Sequence, residues 1–255
     1  MIKLKTEREI NLMRSAGKIA ALARNLAGQM VAVGVTTRSI NKAVHDFIIS
    51  QGAIPSFLGY RDYPASICIS VNDEVIHGIP SPRKLMQGDV VSIDIGATKS
   101  GYVGDCSATF IAGSGCAESE KLIRVTRECF YEGLKYAQPG NRISDISRAV
   151  QEHAEKNGFS VVRDYVGHGI GSDVHEAPEV PNFVKTPRKG PDPRLRQGMT
   201  LAIEPMINAG GAKIKVLDDD WTVVTADGMN SAHYENTILI TGKEPEILTF
   251  CEGMP

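Results

Sequence analysis

Two segments typical of buried β-strands each contain an aspartate. The stretch VVSIDIGATKSGYVGDCSATFIAG places Asp94 and Asp105 among apolar residues, with a turn-like KSG between them. A carboxylate removed from water costs several kcal/mol unless a cation or strong hydrogen-bond donors compensate it. Each aspartate could end a strand and accept backbone N–H bonds in a turn. Alternatively, both could bind a cation.

An internal similarity gives each of these aspartates an acidic counterpart. An offset of 106 residues aligns GVTTRSINKAVHDFIISQG with GNRISDISRAVQEHAEKNG. An offset of 110 residues aligns LMQGDVVSID with LRQGMTLAIE, which sets Asp94 opposite Glu204, and GDCSATFIAG resembles YENTILITG, which sets Asp105 opposite Glu235. Several matches in the same order indicate duplicated halves. If the halves pack about a pseudo-twofold axis, we expect the four carboxylates to converge.

Four converging carboxylates would repel one another unless a cation or protonation neutralised them. The segments VVSIDI, SATFIA, LAIEPMI and NTILIT contain no Arg or Lys that could do so. The sequence therefore predicts a site for divalent metal, with two ions favoured over one. Oxygen ligands with little sulfur favour Mg, Mn, Fe(II), Co or Zn over Cu(I) or an iron–sulfur cluster, and one imidazole would favour the transition metals.

The histidines separate by their sequence context. Three lie in Gly- and Pro-containing segments near the expected acidic centre, where a functional role is favoured: His77, His168 and His175. His45 and His153 lie on predicted helices, where packing is the simpler interpretation. His233 lies two residues before Glu235, on the same strand face, and both interpretations stay open for it. The motif GHGIG could also be a nucleotide-binding loop, but it lacks the full G-x-G-x-x-G pattern and no helix follows it.

The composition is that of an ordinary globular protein. The chain has 255 residues, 42% of them hydrophobic and 23% charged, and a formal net charge of -2. It shows no sign of a nucleic-acid or membrane partner, no signal peptide and no run as long as a membrane span. The five cysteines are odd in number and lack C-x-x-C spacing, which favours a reducing cytoplasm. A catalytic cysteine is disfavoured because nothing sets a histidine beside a particular thiol.

Capping signals and apolar periodicity predict four helices. Thr6 and Glu9 form a T-x-x-E capping box at the start of a long first helix. The second runs from about Thr37 to Gly52, and the others occupy roughly 118–137 and 144–157. The segments SICISV, VVSIDI, SATFIA, LAIEPMI, WTVVT and NTILIT are typical of strands. Since no linker divides the chain, we expect one domain, 1–255, with halves at roughly 5–113 and 114–250.

Four motifs, IDIGATKSGYVGD, GHGIG, IEPM and YENT, are accompanied by SVNDEVIHGIP, GMTLAIEPMINAGG and WTVVTADG. Together they resemble the motifs of the type I methionine aminopeptidases, metallopeptidases of the pita-bread (creatinase-aminopeptidase) superfamily, and the similarity extends from about Lys5 to Phe250. The resemblance implies an α+β pita-bread fold, in which a curved, mainly antiparallel sheet is covered by two pairs of helices around a dinuclear metal centre. The chain lacks a zinc-binding N-terminal extension and the long insertion of type II enzymes, so we expect the compact bacterial form.

The resemblance implies five metal ligands: Asp94, Asp105, His168, Glu204 and Glu235. Asp105 and Glu235 would bridge two divalent ions, drawn from Co, Mn, Fe(II), Zn and Ni. Asp94 would complete one metal site, while His168 and Glu204 would complete the other.

The resemblance also implies a reaction, in which the N-terminal methionine is removed from nascent proteins whose second residue is small. A metal-bridging water or hydroxide would attack the peptide carbonyl, and Glu204 would take its proton. His175 would stabilise the developing oxyanion, and His77 would contact the nitrogen side of the scissile bond.

The implied methionine pocket is an apolar slot with an aromatic wall. Its residues would be Phe57, Tyr60, Tyr63, Cys68, His77, His175 and Trp221. Phe57 and Val174 depart from the Cys and Phe that many relatives have there, which puts the shape of the pocket in question. Trp221 is equally consistent with packing in a hairpin. Asn72 and Ser231 resemble residues that hold a monovalent cation, Na or K, in this family.

The expected partner is the N-terminal methionine of nascent polypeptides, with a transient ribosome contact, and the expected protein is a cytoplasmic monomer. Two alternatives stay open. A proline-specific aminopeptidase or dipeptidase of the same fold usually carries a large extra N-terminal domain. A non-catalytic pita-bread binding protein typically loses metal ligands, whereas all five are present here.

Overall fold

The computed structural model of the chain describes residues 1–184 and 190–252. Its helices are α1 (Glu7–Met30), α2 (Thr37–Ser50), α3 (Ala117–Leu134) and α4 (Ile143–Lys156). Its strands are β1 (Ile54–Pro55), β2 (Cys68–Val71), β3 (Glu74–Ile76), β4 (Val90–Lys99), β5 (Tyr102–Ile111), β6 (Ser160–Val161), β7 (Gly167–Gly169), β8 (Glu176–Val180), β9 (Thr200–Ile203), β10 (Met206–Asn208), β11 (Ile214–Val216), β12 (Val223–Thr225), β13 (Ser231–His233), β14 (Glu235–Leu239) and β15 (Glu246–Ile247). A short 3-10 helix spans Tyr60–Asp62.

The four predicted helices are confirmed, and each end that was predicted lies within about three residues of the observed one. The capping box of α1 is present, because the backbone N–H of Thr6 donates to Glu9 at 2.7 Å and that of Glu9 donates to the Thr6 hydroxyl at 3.4 Å. The first of these hydrogen bonds is the main reason that the pKa of Glu9 falls to about 2. A local sequence signal thus fixes where the first helix begins.

In the part of the chain that the structure describes, the largest sheet has nine strands, and its pairs are antiparallel. Its order is β1-β4-β5-β14-β9-β7-β8, with β2 beside β4 and β15 beside β14. Two small sheets, β13-β10-β6 and β11-β12-β3, complete the strands. The single strand predicted at LAIEPMI is wrong, since the segment divides into β9 in the large sheet and β10 in a small one. The break falls at Glu204 and Pro205 because proline has no N–H with which to continue a ladder.

The two halves repeat the same arrangement of elements. Helices α1 and α2 with strands β4 and β5 correspond in order to α3 and α4 with β9 and β14. An isolated bridge between Thr36 and Lys84 has its counterpart in one between Arg142 and Arg194. The boundaries of the halves, 5–113 and 114–250, stay a prediction.

Helix α1 lies directly on strand β5 beside the acidic centre. A Cβ atom placed on Gly104 would fall on the Cα of Gly17, well inside van der Waals contact. The helix can approach this closely because Gly104 lacks a side chain, while a Cβ atom on Gly17 would instead meet the backbone of Leu248.

We expect Gly104→Ala to lower the free energy of unfolding by about 1–3 kcal/mol, because the clash is with backbone and the helix would have to move. Urea unfolding of the variant measures this loss. Gly211→Ala is the matched control, since its Cβ would lie 3.5 Å from the nearest atom. An equal loss in both variants would contradict the close approach of α1 and β5.

The sequence also predicted unpaired cysteines and no membrane-spanning segment. All five cysteines are free thiols, and four of them are buried. Within residues 1–184 and 190–252, the helices are too short or too polar to cross a membrane.

Candidate metal centre

Neighbouring strands carry the five predicted ligands to one place. Asp94 lies on β4 and Asp105 on β5, while Glu235 opens β14, the next strand across the sheet. Glu204 directly follows β9, and His168 is the central residue of β7. Since β4, β5, β14, β9 and β7 are consecutive in the sheet, the side chains meet on one surface.

The ligand atoms are close enough to share ions. One atom from each of Asp105, His168 and Glu235 lies within 4.8 Å of the others, and all three residues are buried. Nε2 of His168 is 3.3 Å from Oε1 of Glu204. The carboxyl of Asp94 lies against those of Asp105 and Glu235.

Burial is the largest cause of the pKa shifts at this centre. It raises the pKa values of Asp94, Glu204 and Glu235 well above their usual range, and the charges of neighbouring carboxylates raise them further. It raises the pKa of Asp105 to about 7. Burial also lowers the pKa of His168 to about 3, so its ring is neutral at physiological pH.

The donor set fits divalent metal. Oδ1 of Asp94, Oδ1 of Asp105 and Oε1 of Glu235 are buried without a hydrogen-bond partner among the described residues. Buried oxygens of this kind are costly unless something pairs with them. A neutral imidazole beside four carboxylates is also a suitable ligand for a transition metal.

A cavity of about 280 Å³ lies above the acidic centre. All seven predicted pocket residues line it: Phe57, Tyr60, Tyr63, Cys68, His77, His175 and Trp221. Val174, at the other departure from the family pattern, is buried in the same apolar cluster as Phe57 and Tyr63. The five predicted ligands form part of the same lining.

Aromatic rings build one wall of this cavity. The ring of Trp221 meets Tyr63 edge-on, with centroids 4.9 Å apart, and lies 6.0 Å from the ring of His77. Tyr165 meets His77 edge-on at 5.5 Å. The backbone of His77 is left-handed, with a φ of 60°, a conformation that is rare without glycine and is concentrated at functional sites. Trp221 thus both packs against the rings of Tyr63 and His77 and lines the cavity.

His175 lies between the aromatic wall and the acidic centre. Its ring is 4.3 Å from that of His168, measured between centroids, and its Nδ1 is 2.7 Å from the hydroxyl of Tyr60. Burial lowers the pKa of His175, and the positive charge of Arg61 lowers it further. His175 is therefore neutral near pH 7.

Sequence reasoning missed several residues at this site. The cavity is also lined by Arg61, Ile76, Asp164, Tyr165 and Val166. A signal existed for two of them, because Tyr165 lies three residues before His168 and Arg61 lies between two predicted pocket tyrosines. His233, left open above, is buried with Nε2 3.8 Å from Oε2 of Glu204.

A buried arginine stabilises the strands behind the acids. Arg24, in the middle of α1, is fully buried, and its Nη1 donates to the backbone carbonyls of Ser107 at 3.2 Å and Glu235 at 3.0 Å. Ser107 and Glu235 face each other across the β5–β14 ladder. One side chain thus joins the helix to the two strands that carry Asp105 and Glu235.

The two residues expected at a monovalent cation are adjacent. The backbone N–H of Ser231 donates to the carbonyl of Asn72 at 2.8 Å. The side chain of Asn72 bonds to Asp89 and to the N–H of Val90, and the hydroxyl of Ser231 bonds to Asn208.

A duplicated α+β fold with a carboxylate and histidine centre at the base of a cavity defines a metallohydrolase of the pita-bread class. The chain belongs to metallopeptidase family M24, whose model matches residues 11–242. This confirms the family and fold expected from the sequence.

The similar proteins match over almost the whole chain. A methionine aminopeptidase from Clostridium perfringens is 54% identical, over 98% of this chain and 99% of its own length. Methionine aminopeptidase 1 from Bacillus subtilis is 50% identical over the same shares. The crystal structure of a methionine aminopeptidase from Thermotoga maritima has a TM-score of 0.94 and 43% identity, covering 98% of this chain and 99% of that one.

More distant structures share the fold alone. A prolidase from Pyrococcus furiosus has a TM-score of 0.77 at 23% identity, and the match covers 98% of this chain but 66% of the prolidase.

Proposed function

We propose that this chain is a metal-dependent methionyl aminopeptidase, which removes the N-terminal methionine from polypeptides whose second residue is small. The observation that carries the proposal is the buried cluster of Asp105, His168 and Glu235 at the base of a cavity with an aromatic wall. Relatives with 50% to 54% identity over nearly the full length, all named methionine aminopeptidases, support the same activity.

The five acidic and histidine residues would hold two divalent ions, drawn from Co, Mn, Fe(II), Zn and Ni. Asp94, Asp105, His168, Glu204 and Glu235 would be the ligands of these ions. Bound ions would supply Lewis-acid polarisation of the peptide carbonyl and a lowered pKa for water. The unpaired buried oxygens of three of these residues support this assignment.

Glu204 would act as the general base. Burial and the neighbouring carboxylates raise its pKa, which brings the carboxylate closer to the range where it can accept and return a proton. Its Oε1 lies 3.3 Å from Nε2 of His168, and its Oε2 lies 3.8 Å from Nε2 of His233.

His175 and His77 would contact the two sides of the scissile bond, His175 at the carbonyl oxygen and His77 at the nitrogen. Phe57, Tyr63, Cys68 and Trp221 would surround the methionine side chain together with Tyr60. Tyr63 is held by hydrogen bonds from its hydroxyl to the carbonyls of Ile67 at 3.2 Å and Gly78 at 3.0 Å. A wall fixed in this way supports a preformed slot for a flexible thioether.

Several further expectations belong to the same proposal. The protein would act as a cytoplasmic monomer on nascent polypeptides, with a transient ribosome contact. Asn72 and Ser231 would hold one Na or K ion. The chain would form one catalytic domain, 1–255.

Peptide specificity tests the proposed activity. We expect metal-free protein reconstituted with Mn(II), Fe(II) or Co(II) to release methionine from Met-Ala peptides and to cleave Ala-Pro peptides at less than roughly a hundredth of that rate. Chromatographic detection of the free amino acids measures both reactions. Faster cleavage of Ala-Pro would indicate a proline-specific enzyme. A metal-loaded protein that cleaves neither peptide would indicate a binding protein.

A further inference from the structure

The hydroxyl of Tyr60 bonds to one ring nitrogen of His175, whose ring lies beside that of His168. Its oxygen is 2.7 Å from Nδ1, and the two rings are 5.3 Å apart between centroids at an angle of 37°. Nε2 is the other polar atom of the ring, and it has no hydrogen-bond partner within residues 1–184 and 190–252. The tyrosine therefore leaves one ring nitrogen for a ligand in the cavity.

The short segment around Tyr60 has an unusual backbone conformation. Gly59, Arg61 and Asp62 all have left-handed conformations, with φ of 78°, 48° and 70°. Such a conformation is unfavourable at a non-glycine residue and persists where the surroundings fix it. The loop is closed by hydrogen bonds from the N–H of Gly59 to Tyr63 and from the N–H of Tyr60 to Phe57, both at 2.9 Å. These contacts fix the position of the Tyr60 ring.

A neutral histidine carries its single proton on either Nδ1 or Nε2, and the partner of one nitrogen decides the state of the other. If the phenol donates to Nδ1, the proton must be on Nε2. A nearby cation favours this direction, because it strengthens the O–H as a donor and weakens the oxygen as an acceptor. The guanidinium of Arg61 lies 5.5 Å from the centre of the Tyr60 ring.

We infer that Tyr60 is a positioning residue that holds His175 with its proton on Nε2, directed into the cavity. This inference rests on the proposed function, in which His175 donates a hydrogen bond to the developing oxyanion. With the other tautomer, a lone pair would face the oxyanion and repel it. Tyr60 thus contributes to the transition state through its hydroxyl, in addition to contributing its ring to the pocket wall.

The variant Tyr60→Phe keeps the ring and removes the hydroxyl. Nitrogen NMR of the metal-free protein, with His175→Asn used to assign the signals, distinguishes the two tautomers of His175. We expect Nε2–H in the unaltered protein and a mixture of tautomers in Tyr60→Phe. Tyr102→Phe is the matched control, because its hydroxyl bonds instead to Glu9 at 2.8 Å and should leave the His175 signals unchanged.

Kinetics of the metal-loaded protein separates positioning from wall packing. We expect Tyr60→Phe to lower kcat about tenfold, since part of the oxyanion stabilisation is lost, and to change KM for Met-Ala-Ser by less than about twofold. Unchanged His175 signals in Tyr60→Phe, Nδ1–H in the unaltered protein, or a rise in KM without a fall in kcat would each overturn the inference. If the tautomer changes but neither protein releases methionine, the proposed function fails and the positioning of His175 stands.

Discussion

Replacing Glu204 by Gln is expected to lower kcat for Met-Ala peptides by roughly 10²–10⁴, the usual contribution of a general base. An amide has nearly the shape of the carboxylate but cannot accept the proton. The side chain it replaces is only 12% exposed and lies beside His168 and His233, which leaves little room for another base from solvent to take over its role.

The metal content of this variant must be known, because Glu204 is also a proposed ligand. Steady-state rates are therefore measured at saturating Mn(II), and elemental analysis gives the number of ions bound. Glu118→Gln is the matched control, since Glu118 is exposed on α3 and is expected to leave the rate unchanged. A fully loaded Glu204→Gln protein within tenfold of the normal rate would exclude Glu204 as the base.

The sequence predicted the parts of this site that depend on local or repeated patterns. The capping box of α1 involves neighbouring residues, and the strands around Asp94 and Asp105 show β-type composition. The approach of Glu204 and Glu235 is non-local, and it was predictable because the two halves resemble each other. The proline at position 205 indicated that LAIEPMI would not form one continuous strand, since a proline cannot continue the ladder of hydrogen bonds there.

Other features had no comparable sequence pattern. The hydrogen bond between Tyr60 and His175 joins residues that are 115 positions apart in the sequence. The left-handed backbone around Tyr60 depends on tertiary contacts. The burial of Arg24, in contrast, was indicated by the sequence pattern of the first helix. Met13, Gly17 and Ala20 follow helical spacing, and Arg24 continues the same face. A charged residue on an apolar face indicates buried acceptors, which here are strand carbonyls.

Asp105→Asn is expected to stabilise the metal-free protein at neutral pH while weakening its response to metal. Burial raises the pKa of Asp105 from 3.8 to about 7, so between these pH values the folded state binds more protons than the unfolded state. The contribution of Asp105 to the free energy of unfolding therefore falls as the pH rises from about 4 to about 7. Asparagine has no such titration.

Comparing Asp105→Asn with the unaltered protein separates the titration of Asp105 from the titration of the histidines. Burial lowers the pKa values of His77 to about 4 and His168 to about 3, which makes stability rise with pH over part of the same range. Because both proteins contain these histidines, the difference in unfolding free energy between them should grow from pH 4 to pH 7 and then level off. Removing one negative charge also relieves repulsion on Asp94 and Glu235.

Urea unfolding at several pH values, with and without Mn(II), measures both parts of the prediction. Metal at 100 times its dissociation constant should stabilise the unaltered protein by about 2.7 kcal/mol, and at the same concentration it should stabilise Asp105→Asn by less than about 1 kcal/mol. Asp218→Asn, at an exposed position, is the matched control and should behave like the unaltered protein. If metal-free Asp105→Asn were less stable than the unaltered protein at pH 8, Asp105 would not belong to a self-repelling acidic cluster. Equal stabilisation of both proteins by Mn(II) would show that the ion binds elsewhere.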